Sequence, residues 1–257
     1  MKHLAIFLLL FLPSFVSFAQ SPPPKVSKIS EVRQSTTISI NPEYLAFAPQ
    51  SSKEKKVPVL IYLHGAGGGR PLLNRLGMQA NALLQGIERF DKGPCYVVVP
   101  QCLPTKKNGE RATWEPDDLN LLLDDLLEKF RIDSKRVYLT GNSMGGYGSW
   151  AWGGHSPKRL AAIAPVVGGI GPGGPKDVTP HLKNWAENLA KVPVYAFAGG
   201  KDRVVPAERS ERMVAEIRKA GGKQAKIKVF PEAGHNARQL VYNSKEFYDW
   251  MFAQSKK

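Results

Sequence analysis

Six short apolar runs, set apart by longer polar or amphipathic stretches, constrain this chain more than any other feature. They are Val57 to Leu63, Tyr96 to Val99, Val137 to Thr140, Leu160 to Val167, Val192 to Ala198 and Ile227 to Phe230, all rich in Val, Ile or both. A strand with one wet face alternates polar and apolar residues, whereas a nearly continuous apolar run of this length reads as a strand covered on both faces. The stretches between them carry helical patterns. From Asp117 to Phe130, Leu119, Leu122, Leu123, Leu126, Leu127 and Phe130 recur at helical spacing, with Asp117, Asp118, Asp124 and Glu128 on the other face. The acidic first turn suits the positive end of the helix dipole. Pro206 to Ala220, opened by proline and closed by Gly221-Gly222, reads as a second helix, and Glu246 to Phe252 as part of a last one. Strands alternating with helices predict an α/β fold, with a mainly parallel central sheet and helices on both faces. Ahead of it, Thr36–Ile40 and Tyr44–Ala48, separated by the turn residues Asn41 and Pro42, predict an N-terminal antiparallel hairpin.

The first nineteen residues follow a different logic. A short basic start, Met1-Lys2-His3, leads into a stretch from Leu4 to Phe18 that is almost entirely apolar, and Ser17-Phe18-Ala19 supplies small residues before a cut. This predicts a secretory signal peptide over 1–19, too short for a spanning helix, and hence an exported protein, periplasmic or extracellular, without integral membrane association after cleavage. Residues 20–35, with Pro22, Pro23 and Pro24, predict an extended lead-in. Residues 36–257 then read as a single catalytic domain, for which 42% hydrophobic residues supply enough core.

The chain has 36 Lys and Arg against 22 Asp and Glu, a net charge of +14. Such a surface attracts anionic polymers without specificity. The basic residues are dispersed, however, and no nucleic-acid motif accompanies them, so they read as solvated surface groups and no nucleic-acid partner is expected. Cys95 and Cys102 flank an expected strand. Seven extended residues span about 23 Å, against the ~5.5–6 Å between bridged Cα atoms, so no mutual disulfide is expected. Nor do two cysteines without a neighbouring histidine or carboxylate at ligand spacing make a metal site.

The chemistry concentrates where Val137-Tyr138-Leu139-Thr140 runs into Gly141-Asn142-Ser143-Met144-Gly145-Gly146, with a helix expected through Tyr147, Ser149 and Trp150. A Gly-x-Ser-x-Gly turn between a strand and a helix lifts the serine out of a strained bend and aims free backbone N–H groups beside it. Ser143 is therefore the candidate nucleophile. Its hydroxyl needs a base, and on this kind of scaffold acid and base follow the nucleophile in that order. His3, His64, His155 and His181 are eliminated by position, which leaves His235, on the loop after Ile227–Phe230. The acid should stand at the end of the preceding strand, where Gly199-Gly200-Lys201 leads into Asp202; Asp177 and Glu232 are the fallback acids. An oxyanion needs preplaced donors, each worth about 2.7–4 kcal/mol. Met144 N–H, next to the nucleophile, and Ala66 N–H, in the glycine-rich loop His64-Gly65-Ala66-Gly67-Gly68-Gly69-Arg70, are the candidates. Trp114 is the candidate substrate-binding residue, as a stacking surface for an aromatic acyl group or a sugar, with core packing as the other reading of its position. Trp150 and Trp152 are expected in the core.

Taken together these residues resemble the α/β-hydrolase superfamily. Within it they are similar to bacterial secreted carboxylesterases grouped with polyhydroxybutyrate depolymerase-like, feruloyl-esterase-like and dienelactone-hydrolase-like proteins. The resemblance runs from about Val57 to Phe252. It is carried by Leu63-His64-Gly65-Ala66-Gly67, Val99-Pro100-Gln101-Cys102, Arg136 to Gly148, Lys201-Asp202 with Val204-Val205-Pro206, and Gly234-His235-Asn236. It implies Ser143 as nucleophile, Asp202 as acid, His235 as base, Ala66 and Met144 as oxyanion donors, and no metal or organic cofactor. The implied activity is serine carboxylic-ester hydrolysis on a small-molecule or glycan ester, with acetyl or hydroxycinnamoyl esters of glycans as candidates. Dienelactone hydrolases proper use a cysteine where this chain has Ser143. Two other functions remain open at this point: a serine peptidase of prolyl-oligopeptidase type, which shares fold and residue order but carries a large propeller domain, and a catalytically silent glycan-binding domain. Oligomeric state is not indicated.

Overall fold

The structure, a computed structural model, describes residues 24–49, 55–69, 72–171, 174 and 176–257. The expected signal peptide, 1–19, and the first residues of the lead-in lie outside the described residues. In chain order the elements are β1 (Lys25–Lys28), α1 (Glu31–Gln34), β2 (Glu43–Phe47), β3 (Val57–Leu63), α2 (Leu73–Arg89), β4 (Tyr96–Val99), α3 (Pro116–Lys129), β5 (Ile132–Asn142) and α4 (Met144–His155). They continue with β6 (Ala162–Val166), α5 (Leu182–Leu189), β7 (Val194–Gly199), α6 (Ala207–Lys219), β8 (Ala225–Phe230), α7 (Arg238–Tyr242) and α8 (Lys245–Phe252).

Among the described residues the strands form one sheet in the order β1-β2-β4-β3-β5-β6-β7-β8. From β4 to β8 every pairing is parallel, while β1–β2 and β2–β4 are antiparallel. This is the α/β-hydrolase arrangement. All seven residues of β3 are buried, as a strand covered on both faces requires. Because alternate side chains leave a strand in opposite directions, Val57, Val59, Ile61 and Leu63 enter one core, with Leu119, Leu122 and Leu126 of α3, Trp150 and Trp152 of α4, and Met213 of α6. Leu60 and Tyr62 enter the other, with Leu76 and Leu83 of α2 and Phe247 and Met251 of α8. The two core tryptophans are where the sequence reading put them.

The antiparallel N-terminal pair is present, but with a different first strand. Thr36–Ile40 is not a strand; Ile40 keeps a single isolated bridge, to Cys102. The partner of β2 is Lys25–Lys28, inside the expected lead-in, in the register Lys25 to Ala46 and Lys28 to Glu43. The lead-in is thus part of the sheet, and its last residues, Glu31–Gln34, form a helical turn rather than an extended segment. The cause lies on α3. Asp118 accepts the backbone N–H groups of Ile38, Ser39 (2.7 Å) and Ile40 and the Ser39 hydroxyl (2.8 Å), so these donors are withdrawn from any ladder. Asp125 does the same about two turns further on, taking Ser30 N–H at 2.9 Å and the Tyr44 hydroxyl at 3.1 Å. Asp118, expected on the polar face of its helix, is therefore buried. Removing a carboxylate from water is costly unless donors surround it, and here the N-terminal arm supplies them.

Besides the turn at Glu31–Gln34, three helices are not among those the sequence predicts: α2, α5 and the five-residue α7. In α2, Leu76, Ala80 and Leu83 face the core; in α5, Trp185, Ala186 and Leu189 do. Both patterns have helical period, but Gly77 and Gly86 interrupt the first and the second is only eight residues long.

Candidate active site

The carboxyl ends of the parallel strands converge on one edge, and the turns leaving β3, β5, β7 and β8 bring the site together. β5 ends in Gly141-Asn142, and α4 starts at Met144, so Ser143 alone makes the bend. Its backbone has φ 56° and ψ −117°, a left-handed region that a residue with a Cβ enters only under strain. The flanking glycines are required by space. A Cβ on Gly145 would lie 1.9 Å from the Leu63 carbonyl oxygen, and one on Gly141 would lie 2.4 Å from that of Gly145. Ser143 N–H is held by Val166 O at 3.0 Å. Beneath the bend the Tyr62 hydroxyl donates to Asn142 Oδ1 at 2.5 Å, fixing the residue next to the serine from the other side of the sheet.

Ser143, His235 and Asp202 form one hydrogen-bonded line. His235 Nε2 is 2.9 Å from Ser143 Oγ, and His235 Nδ1 is 2.8 Å from Asp202 Oδ2. A carboxylate only accepts, so the imidazole proton sits on Nδ1 and leaves Nε2 free to accept from the serine hydroxyl. The Asp202 carboxylate is fully buried, while His235 is about one-third exposed. Asp202 keeps its orientation because Oδ1 takes the N–H groups of Val204 (2.9 Å) and Val205 (3.0 Å) in the turn that follows. The fallback acids stand elsewhere: Glu232 pairs with Lys201, and Asp177 lies against Gly171. His155 is exposed.

Ser143 opens into a cleft of about 440 Å³, lined among others by Ala66, Met144, Arg111, Thr113, Tyr147, Val204 and Val205. Met144 is the first residue of α4, so its N–H has no partner within the helix. Ala66 begins a short 3₁₀ turn, Ala66–Gly69, directly after β3 and His64-Gly65. Both expected oxyanion donors therefore border the same space as Ser143 Oγ.

Trp114 does not. It is 1% exposed, its indole N–H donates to His64 O at 3.1 Å, and its ring meets that of His64 edge-on at 4.8 Å. Burial alternates along residues 111–115, as it does where neighbouring side chains face opposite ways. Ala112 and Trp114 turn into the core, while Arg111 and Thr113 turn to the cleft. The wall expected of Trp114 is supplied by its immediate neighbours, with Tyr147 one helical turn beyond the serine. These three were missed; the parity of the strand-like segment, anchored on Ala112, is the signal that would have found them.

His64, set aside on sequence order, is fully buried beside this site. Burial lowers its pKa to about 4, so the ring is neutral. Both cysteines are buried free thiols, each pushed up to about 12 by burial and correspondingly inert. Among the described residues no group of three or more His, Cys, Asp or Glu side chains could hold a metal ion, and no helix is long and apolar enough to cross a membrane.

Comparison with known proteins bears on the family and the fold. The dienelactone hydrolase family matches residues 107–245, a stretch that contains Ser143, Asp202 and His235. A candidate carboxymethylenebutenolidase of Salmonella typhimurium is 36% identical over 106 residues, which are 40% of this chain and 37% of that protein. The match thus spans little more than a third of that relative's length. The crystal structure of a thermostable esterase superposes with a TM-score of 0.72 at 25% identity, covering 91% of this chain and 64% of that one. A ferulic acid esterase shares the fold at 19% identity and a TM-score of 0.63, covering 89% of this chain and 99% of that one.

Proposed function

The chain belongs to the dienelactone hydrolase family, and from that premise we propose that it is an exported serine carboxylic-ester hydrolase acting on acetyl or hydroxycinnamoyl esters of glycans. Ser143 Oγ attacks the ester carbonyl as His235 Nε2 takes the hydroxyl proton. Asp202 holds the imidazole in the required tautomer and stabilises its charged form without taking the proton itself. The oxyanion that develops is met by the N–H groups of Met144 and Ala66. The imidazolium then protonates the departing alcohol. Water, deprotonated by the same imidazole, releases the acid from the acyl-enzyme, and Ser143 recovers its proton.

The hydrogen-bonded line from Asp202 through His235 to Ser143 carries this reading. A hydroxyl needs such a base more than a thiol does, because its proton is far harder to remove at neutral pH. That accords with serine standing where dienelactone hydrolases proper have cysteine. The glycan ester class is supported by polar groups on the cleft wall, Arg111, Thr113 and Tyr147, facing the apolar Val204 and Val205. Export is supported by the residues of the leader alone.

The test is hydrolysis of a panel of acetyl, butyryl, octanoyl and feruloyl esters, with Ser143→Ala alongside. Ser143-dependent turnover favouring acetyl or feruloyl groups is the expected outcome. A preference for octanoyl esters would move the substrate to lipids or polyesters, and faster turnover of peptides than of esters would move the activity to a peptidase. For export, N-terminal sequencing of the protein recovered outside the cytoplasm should begin at Gln20.

A further inference from the structure

An oxyanion donor must be held to within a few tenths of an ångström of its working position, yet Ala66 lies in a loop with glycine at 65, 67, 68 and 69. Glycine gives a chain its greatest conformational freedom and so the largest cost of ordering. Something outside the loop's own preferences must hold it. The contacts converge on His64. Its Nε2 accepts the backbone N–H of Cys102 at 3.0 Å, which places the ring proton on Nδ1. Nδ1 is 2.7 Å from Gly65 O and donates to it. The same carbonyl takes Gly68 N–H at 3.0 Å, and Gly68 lies flat on the imidazole, where a Cβ would come within 2.2 Å of the ring. Gly68 O in turn accepts Gln101 Nε2 at 3.1 Å.

Gly65 C=O and Ala66 N–H belong to one peptide unit, which is planar and trans, so they point in opposite directions. We infer that His64 is a positioning residue of the oxyanion site: by donating Nδ1–H to Gly65 O it turns the Gly65–Ala66 peptide so that Ala66 N–H faces the cleft beside Ser143. This rests on the hydrolase reading above and adds to it a part for a histidine that takes no proton from Ser143. Donation to the carbonyl also polarises the peptide and strengthens the N–H at its other end as a donor. The backbone donor Cys102 N–H sets the tautomer, so the device reaches from the loop after β4 through one imidazole to the loop after β3.

The experiment uses the whole chain and a fluorophosphonate, which reacts with an activated serine and needs the same oxyanion donors without presuming a natural substrate. His64→Ala is expected to be labelled about 10²–10³-fold more slowly, the usual effect of losing one such donor, and to lose kcat on a short ester with KM little changed. His64→Asn, whose side-chain amide can stand in for Nδ1–H, is expected to recover most of that loss. Labelling of a folded His64→Ala at the parent rate overturns the proposal and leaves the hydrolase reading intact. A parent chain that neither labels nor cleaves any ester overturns the hydrolase reading, and the proposal with it. Should the variants fail to fold, nitrogen-15 NMR of the parent imidazole decides: a proton on Nδ1 of His64 supports the assignment, and one on Nε2 overturns it.

Discussion

Asp118 and Asp202 are both buried carboxylates cradled by backbone N–H groups, and they do opposite things. Asp118, on α3, reaches a segment 80 residues earlier and spends its oxygens on three backbone N–H groups and the Ser39 hydroxyl. Asp202 uses one oxygen on the turn just ahead of it and keeps the other for His235. Burial does not separate them, and three backbone N–H donors against two is a small difference. What separates them is one oxygen left over, aimed at a titratable ring that opens on a cleft. A saturated carboxylate is a clamp; one with a free oxygen beside an imidazole can stabilise a charge that comes and goes.

The difference can be broken or sharpened by mutation. Ser143→Ala should have the largest effect, a fall in kcat of about 10⁶-fold on short esters with an unchanged melting temperature, since nothing depends on the hydroxyl for folding. Asp202→Asn should cost about 10⁴-fold in kcat through loss of the His235 tautomer, and little stability, because an amide oxygen still serves Val204 and Val205. Asp118→Asn should do the reverse. Its amide N–H groups would face the N–H donors of Ile38 to Ile40, so denaturant titration should read a loss of about 2–4 kcal/mol, with kcat at moderate temperature near the parent's. A fall in kcat without a fall in stability would end the contrast.

His64 adds a pH dependence to the stable part of the molecule. Its folded pKa of about 4 lies below the ordinary imidazole value of 6.5, so between those values the unfolded chain binds the extra proton. The contribution of the neutral ring is complete above pH 6.5 and is lost as pH falls toward 4, by up to about 3 kcal/mol. Denaturant titrations at pH 4.5 and 7 should show this slope, and His64→Gln should flatten it. Trp114→Phe should have the smallest effect, about 1 kcal/mol for the hydrogen bond to His64 O. The ratio of feruloyl to acetyl turnover should stay the same, whereas Arg111→Ala or Tyr147→Phe should alter it.

Much of this was legible in advance, and the exceptions share a cause. Five of the six apolar runs form buried strands, while the sixth, β8, lies at the edge of the sheet and is only partly buried over Ile227–Phe230. These strands, the helices α3, α6 and α8, the strained turn at Ser143 and the residues Asp202 and His235 that line up with it all follow from patterns local in sequence. Strand and helix periods, the steric need for glycine on each side of Ser143, and the order of motifs along the chain are properties of neighbours. Helices α2 and α5 had the period too, but short length and internal glycines weakened it. Thr36–Ile40 has the composition of a strand and is not one, because Asp118 took its donors. Trp114 has the composition of a stacking surface and is buried, because the register of residues 111–114 turns it inward.

The sequence by itself determined the layers of the fold, the bend that presents Ser143 and the residues that can serve it, since those depend on periodicity and on sterics within a few residues. Only the tertiary structure decided which carboxylate is a clamp and which has an oxygen to spare, which of two adjacent side chains lines the cleft, and which histidine lies under the glycine loop. Each of those is a contest for hydrogen-bond partners between groups far apart in the chain, and burial settles such contests because an unpaired polar group away from water costs more than the local preference it overrides.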